Sequence, residues 1–232
     1  MPDRCGLWIL FMVSEGAVDK SGGVSVNDKF FSLSKDKQMR IINAGFRVFS
    51  QNSYKKSPVS EIAAEAGISK SLLFHYFRDK KELYLFLWEE AARITTEYLR
   101  EYGCYEKDSL FEMLHSGTKA KMQIMRSYPD IAFFVIKAYY EKDEEISADI
   151  QQSYRNYLEQ KTRASMLRID PEEFAPGVDL KMMYQEMYWA SEGYLFEVMR
   201  RGVIDIDQLE KDFEKLIDFW KETYGRKEKQ ER

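Results

Sequence analysis

Residues 59–77 read VSEIAAEAGISKSLLFHYF, and this stretch decides the fold. Two short segments with helical spacing of apolar residues lie on either side of Gly67, which can adopt the left-handed backbone of a tight turn. Ala63 is small where two helices would cross closely. The apolar residues that would share a core are Ile62, Ala66, Ile68 and Leu73. The stretch therefore predicts a helix-turn-helix unit.

The second helix of this unit has a polar side that would remain in water. That side carries Ser69, Lys70, Ser71 and His75. A helix of two turns fits a DNA major groove about 12 Å wide, and its N-terminus favours a nearby phosphate. The alternative is a buried helix pair of an ordinary helical protein, in which Ala and Gly only permit close packing.

Capping residues and apolar spacing predict helices along the whole chain. The expected starts near the motif are Ser34 for a helix over 35–51, Ser57 with Pro58 at the first helical position for 58–65, Ser69 for the two-turn helix, and Asp79 for a long helix ending at Gly103. Further helices are predicted at about 108–126, 129–141, 146–169, 178–201 and 205–224, the last capped by Asp205. The predicted fold class is all-α.

Composition excludes several function classes. The chain has 232 residues, of which 44% are hydrophobic and 32% charged, values typical of a folded, non-membrane protein. The two cysteines, Cys5 and Cys104, and the two histidines show no metal-ligand spacing, and no nucleotide-binding or nucleophile motif is present. We expect a cytoplasmic protein with no metal, no cofactor and no enzymatic activity.

Charge is distributed unevenly along the chain. Residues 35–80 hold nine Lys or Arg and four Asp or Glu, a net charge of +5. Residues 81–232 hold 23 basic and 31 acidic residues, a net charge of −8. The basic segment would be attracted to a phosphate backbone and the acidic part repelled by it.

The first 34 residues show neither helical nor strand spacing beyond a short apolar run, Leu7 to Val13, and are predicted to form a disordered arm. The run is too short to cross a bilayer. A signal peptide is the competing interpretation, although no cleavage site follows. A third hypothesis is that translation begins near Val26 and residues 1–25 are not made.

The segment SKSLLFHYF, followed by RDKKEL, resembles the TetR family of transcriptional regulators, whose members usually show a segment similar to SKGTLYHYF. The resemblance implies a DNA-binding domain over 35–95, a dimerising and ligand-binding domain over 96–226, and a charged tail over 227–232. It also implies a homodimer that binds double-stranded DNA with a palindromic operator.

The resemblance further implies a set of DNA contacts, carried over by position. These residues are Ser57, Ser69, Lys70, Ser71, Leu72, Phe74, His75, Tyr76 and Lys80. Ser71 replaces the family's usual glycine, Leu72 its usual threonine, and Phe74 lacks the hydroxyl of its usual tyrosine. Leu72 would instead touch a thymine methyl group. Core packing is the alternative for Leu72 and Phe74.

The two closing helices are expected to pair across a two-fold axis. Their predicted apolar faces carry Met183, Met187, Leu195, Val198, Leu209, Phe213, Leu216 and Trp220. The alternative is that these faces complete the core of a single chain.

An aromatic-rich middle region is expected to line a cavity for a small hydrophobic or aromatic ligand. The candidate residues are Tyr105, Glu112, His115, Phe133, Tyr139, Tyr140, Tyr188 and Trp189. Ordinary core packing is the alternative. The sequence thus predicts a ligand-released repressor, and the rival hypothesis is an architectural or partner-recruiting DNA-binding protein without a small-molecule ligand.

Overall fold

A computed structural model describes residues 28–166 and 170–227 of the protein. Its helices are α1 (Asp28–Phe31), α2 (Lys35–Gln51), α3 (Val59–Glu65), α4 (Lys70–Tyr76), α5 (Lys80–Glu101), α6 (Leu110–Ser127), α7 (Ile131–Tyr140), α8 (Ser147–Met166), α9 (Leu180–Arg200) and α10 (Ile206–Tyr224). Short 3-10 turns occur at Cys104–Glu106 and Pro171–Glu173. The all-α prediction is confirmed, since every regular element of the described residues is helical.

The chain forms two compact units. The described residues of the first unit are 28–94 and 124–157, and those of the second are 95–123, 158–166 and 170–227. The units thus do not follow the order of the chain, because residues 124–157 join the N-terminal helices. The predicted boundaries at 35–95, 96–226 and 227–232 follow chain order and stay a prediction.

Aromatic side chains form the centre of the first unit. Phe134 of α7 is fully buried, with ring centroids 5.1 Å from Phe46 and 5.2 Å from Tyr84. Phe49 and Tyr54 pack edge-on against Tyr84 at 4.7 Å and 5.3 Å. Edge-to-face ring contacts add to the gain from burying large apolar area. This core fixes α2 against α5 and α7 and so holds the helix-turn-helix in place.

Helix starts agree with the predicted caps at three positions. Side-chain oxygens of Ser69, Asp79 and Asp205 accept hydrogen bonds from the backbone N–H groups of Leu72, Glu82 and Gln208. Such bonds satisfy N–H groups that a helix start leaves unpaired.

Ser34 occupies the N-cap position of α2, as predicted, whereas the predicted cap at Ser57 is wrong. The Ser34 side chain makes no capping bond, and the carbonyl oxygen of Ser34 instead accepts from Lys37 and Gln38. Pro58 occupies the cap position of α3, while the Ser57 hydroxyl donates to the carbonyl of Ser53. The Ser57 side chain therefore belongs to the preceding turn.

Ordered structure begins before the predicted end of the N-terminal arm. Residues 1–27 of that arm lie outside the described residues, but α1 is helical from Asp28 and buries Phe30. The Phe30 ring lies 5.2 Å from Phe77 and 5.1 Å from Phe86. The apolar contacts of Phe30 hold α1 in place, although a segment this short has a weak helical pattern. The predicted disorder is therefore wrong for residues 28–34.

The second unit includes α9 and α10, which pack on each other. Most of the apolar face predicted for dimerisation is buried within this single chain. Its buried members are Met183, Met187, Leu195, Val198, Leu209, Phe213 and Trp220. The alternative interpretation of these residues as monomer core is therefore the correct one, because they are already buried in the single chain.

Candidate DNA interface

The connection between α3 and α4 is a tight turn. Gly67 has a φ of +70°, and its N–H donates to the carbonyl of Ala64. The N–H of Ile68 donates to the carbonyl of Ala63 at 2.9 Å, which reverses the chain within three residues of the end of α3. The turn directs α4 away from α3, as the sequence predicts.

Gly67 is expected to be required for this turn. A Cβ added there would meet only an Arg40 nitrogen at 3.9 Å, so space is sufficient and the penalty is purely conformational. Left-handed backbone costs an L-residue about 1–2 kcal/mol, and we expect Gly67→Ala to lower the free energy of urea unfolding by that amount. Gly193→Ala, in a helix with open space around it, is the matched control and should not destabilise. Equal stability of Gly67→Ala and the wild type would show that the turn tolerates another conformation.

The face of α4 opposite the core carries the predicted reading residues. Ser69, Lys70, Ser71 and His75 are exposed. Leu72 and Phe74 are 37% and 38% exposed, whereas Leu73 between them is fully buried. The core-packing alternative for Leu72 and Phe74 is therefore wrong, and the Lys70 ammonium lies 5.8 Å from the centre of the Phe74 ring.

Three predicted contact residues are already engaged within the protein. Ser57 is 2% exposed and Tyr76 is 8% exposed. The Lys80 ammonium donates to the carbonyls of Tyr54 at 2.9 Å and Lys55 at 3.2 Å. The structure thus brings Ser69, Lys70, Ser71, Leu72, Phe74 and His75 onto one exposed surface, whereas Ser57 and Tyr76 are buried and Lys80 is bonded to the turn before α3.

A further cation lies beside this surface that sequence reasoning missed. Lys29 of α1 is exposed, and its ammonium nitrogen lies 3.1 Å from Nε2 of His75. The adjacent Phe30 anchors α1 beneath α4 through a ring contact of 6.2 Å with Tyr76. The sequence feature that could have revealed α1 was the apolar pair Phe30–Phe31, which directly precedes the first predicted helix.

The predicted ligand residues are divided between the two units. Tyr105, Glu112, His115, Tyr188 and Trp189 belong to the second unit, and Phe133, Tyr139 and Tyr140 to the first. Trp189 and Tyr140 are 58% and 60% exposed, and Glu112 is also exposed, which is inconsistent with lining a closed cavity within one unit. Nε2 of His115 lies 3.2 Å from a carboxylate oxygen of Asp218, and the Tyr188 hydroxyl donates to Glu192 at 2.6 Å.

No helix among residues 28–166 and 170–227 has the length and hydropathy needed to cross a bilayer. In the same residues no three His, Cys, Asp or Glu side chains come together as a metal site would need.

This chain is similar in sequence to several known bacterial regulatory proteins. Residues 41–86 match the family model described as bacterial regulatory proteins of the tetR family. The fatty acid metabolism regulator protein of Bacillus subtilis (strain 168) is 23% identical over 154 residues, which cover 66% of this chain and 79% of that protein. The transcriptional regulator RutR of Escherichia coli (strain K12) is 26% identical over 108 residues, which cover 47% of this chain and 50% of RutR.

A solved structure shows the same fold over most of the chain. FadR from Bacillus subtilis in complex with stearoyl-CoA superposes with a TM-score of 0.51 at 22% identity, covering 77% of this chain and 96% of FadR. The helix-turn-helix, its exposed face and the match over residues 41–86 lead to one conclusion: the N-terminal part of this chain is similar to the helix-turn-helix domain of bacterial regulatory proteins of the tetR family.

Proposed function

We propose that the protein is a ligand-responsive repressor, which binds a palindromic operator as a homodimer and is released by a small-molecule ligand that carries a long apolar chain. The observation that carries the DNA-binding part is the exposed face of α4. This face carries polar side chains and partly exposed apolar ones, whereas Leu73, on the inner side of the helix, is fully buried. Such a helix offers hydrogen-bond donors and apolar groups to base edges while the rest of the unit holds it rigidly.

The proposed roles follow from exposure. Lys70, Ser71 and Leu72 are exposed at the N-terminal end of α4, where a recognition helix meets base edges. His75 and Lys29 form a polar pair at the other end, suited to a phosphate. Selection of bound duplexes from a random library tests the proposal directly, since a homodimer should select an inverted repeat with half-sites about one helical turn apart. Selection of asymmetric or random sequences would contradict it.

Loss of the Lys29 cation is expected to weaken binding through phosphate contacts alone. We expect Lys29→Ala to reduce affinity about equally for all duplexes and to lower the slope of log affinity against log salt by about one. Titration of labelled selected duplex at several salt concentrations measures both quantities. Lys35→Ala, another exposed lysine near the N-terminus, is the matched control. An unchanged slope in Lys29→Ala would show that Lys29 makes no phosphate contact.

The proposed dimer surface is an exposed apolar stripe on α9. Met182, Trp189 and Phe196 are 57%, 58% and 70% exposed and are spaced seven residues apart, so they lie on one side of the helix. Phe219 of α10 is 56% exposed as well. Large apolar side chains in a regular row, left exposed by the single chain, favour a helical interface between two copies.

The proposed ligand class is long-chain acyl-CoA. The support is the solved FadR structure, which holds stearoyl-CoA, together with the similarity to the B. subtilis fatty acid metabolism regulator. Stearoyl-CoA at saturating concentration should raise the melting temperature and weaken operator binding of the purified dimer, because a ligand that favours the released state stabilises that state. Free coenzyme A is the control. Unchanged melting and affinity across a panel of acyl-CoAs would favour the partner-recruiting alternative.

A further inference from the structure

The turn at residues 52–57, which joins α2 to α3, is fixed from the side of α5. Tyr54 is 1% exposed and packs on Tyr84. Its carbonyl accepts a hydrogen bond from the Lys80 ammonium, which also lies 4.7 Å from the centre of the Tyr54 ring. The neighbouring Lys55 and Lys56 are exposed. The backbone of the turn is therefore held while its two lysines project into solvent.

An acidic loop, residues 141–145, holds the same turn from a second side. Oε2 of Glu141 accepts the backbone N–H of Tyr54 at 2.8 Å, although the two residues are 87 positions apart. Oε1 of Glu141 accepts the N–H groups of Lys142 at 2.9 Å and Asp143 at 3.2 Å. One oxygen of this carboxylate thus bonds the turn and the other bonds the backbone of its own loop, with the strength of charge-assisted bonds.

Two more members of the acidic loop contact the turn. The Asp143 carboxylate lies 3.3 Å from the Lys55 ammonium, with 7% of the Asp143 side chain and 78% of the Lys55 side chain exposed. Burial raises the pKa of the Tyr54 hydroxyl, and its hydrogen bond to Glu145 raises the pKa further. Carboxylates of one loop therefore contact the backbone, the ring hydroxyl and a lysine of the turn.

We propose that Glu141 is a positioning residue of the DNA interface, which holds the turn 52–57 so that Lys55 and Lys56 face the phosphate backbone at the start of α3. The inference rests on the proposed DNA interface. The negative charge of Glu141 is expected to act on DNA binding in two opposed ways. A carboxylate near DNA repels phosphate and ordinarily weakens binding, whereas Glu141 strengthens binding because it fixes two cations.

Two matched variants separate positioning from simple charge. Glu141→Gln removes the negative charge and leaves one acceptor oxygen for contacts that now use two, so we expect operator affinity to fall about threefold to tenfold. Glu144→Gln removes the same charge from an exposed residue of the same loop. Its affinity should stay within about twofold of the wild type, on the tighter side, because only screened repulsion changes.

The experiment measures binding of each variant to a labelled duplex that the wild type selects from a random library, across a range of salt. If Glu141 acts through Lys55 and Lys56, Glu141→Gln should also lower the salt slope by about one to two. In a Lys55→Ala, Lys56→Ala background the same substitution should no longer change affinity. Urea unfolding of each variant corrects for the folded fraction, so a loss of stability is not counted as a loss of binding.

The outcomes distinguish the inference from the function on which it rests. The inference is supported if Glu141→Gln lowers operator affinity in the otherwise wild-type protein and has no effect in the Lys55→Ala, Lys56→Ala background. Tighter binding by Glu141→Gln, as in Glu144→Gln, overturns it, and so does an equal loss with and without the lysines. Failure of the wild type to bind any selected duplex would instead overturn the proposed DNA interface.

Discussion

Phe196→Glu is expected to convert the proposed dimer into a monomer and to reduce operator affinity by at least about 100-fold. Phe196 is the most exposed side chain of the α9 stripe, at 70%, so a carboxylate there costs the single chain little. In a dimer, however, the two-fold axis would bring the substituted faces together and bury charge without a partner. The affinity loss follows because a dimer holds two recognition helices together. Binding of the first helix raises the effective concentration of the second at its half-site, which multiplies affinity by about 10²–10⁴.

Light scattering at micromolar concentration measures the dimer, and duplex titration measures the affinity. Tyr140→Glu is the control, because Tyr140 is an aromatic residue of similar exposure, 60%, and belongs to α7 and not to the seven-residue row of α9. Circular dichroism should show unchanged helix content in both variants. A Phe196→Glu protein that remains dimeric would place the interface elsewhere on the chain.

Phe134→Ala is expected to cost about 3–5 kcal/mol of stability, the range for removing a large aromatic side chain from a packed core. Phe134 has no exposed surface and contacts the rings of Phe46 and Tyr84. The cavity would lie between α2, α5 and α7, so the helix-turn-helix would lose its support. Urea unfolding monitored by circular dichroism gives the free energy of the transition.

Phe133→Ala is the control for this substitution. Phe133 is adjacent in sequence, has the same side chain and is only partly buried, so its loss should cost clearly less, about 1 kcal/mol. The comparison also bears on its predicted role as a ligand residue, since Phe133→Ala should then change ligand affinity without a large change in stability. Equal destabilisation by both variants would contradict the packing described for α7.

Local sequence was sufficient to predict the helices from residue 35 onward and the exposed surface of α4. The predicted first helix, 35–51, coincides with α2, and the later helices differ from prediction by a few residues at their ends. Ser69, Asp79 and Asp205 cap the helices that their spacing predicts, because capping joins residues three positions apart. The exposure of Lys70 and the burial of Leu73 also follow from the helical period around Gly67.

Tertiary structure decided which of two apolar sides of α9 faces inward. The sequence carries Met183 and Met187 on one side of the helix and Met182, Trp189 and Phe196 on another. Both sides are apolar, so residue type does not tell which side is buried. In the folded chain the first set is buried and the second is exposed. Helical periodicity reports that a residue is apolar, whereas burial depends on which neighbour covers it.

The role of the acidic loop was likewise beyond the reach of local sequence. Residues 141–145 read EKDEE, a pattern typical of a solvated turn, yet Glu141 bonds to the backbone of Tyr54. The anchoring of α1 by Phe30 and the approach of Lys29 to His75 also join distant positions. The sequence alone determined where most helices begin, which face of α4 is exposed and where positive charge lies. Folding alone determined which distant side chains fix that face, since such contacts depend on how helices pack and not on spacing along the chain.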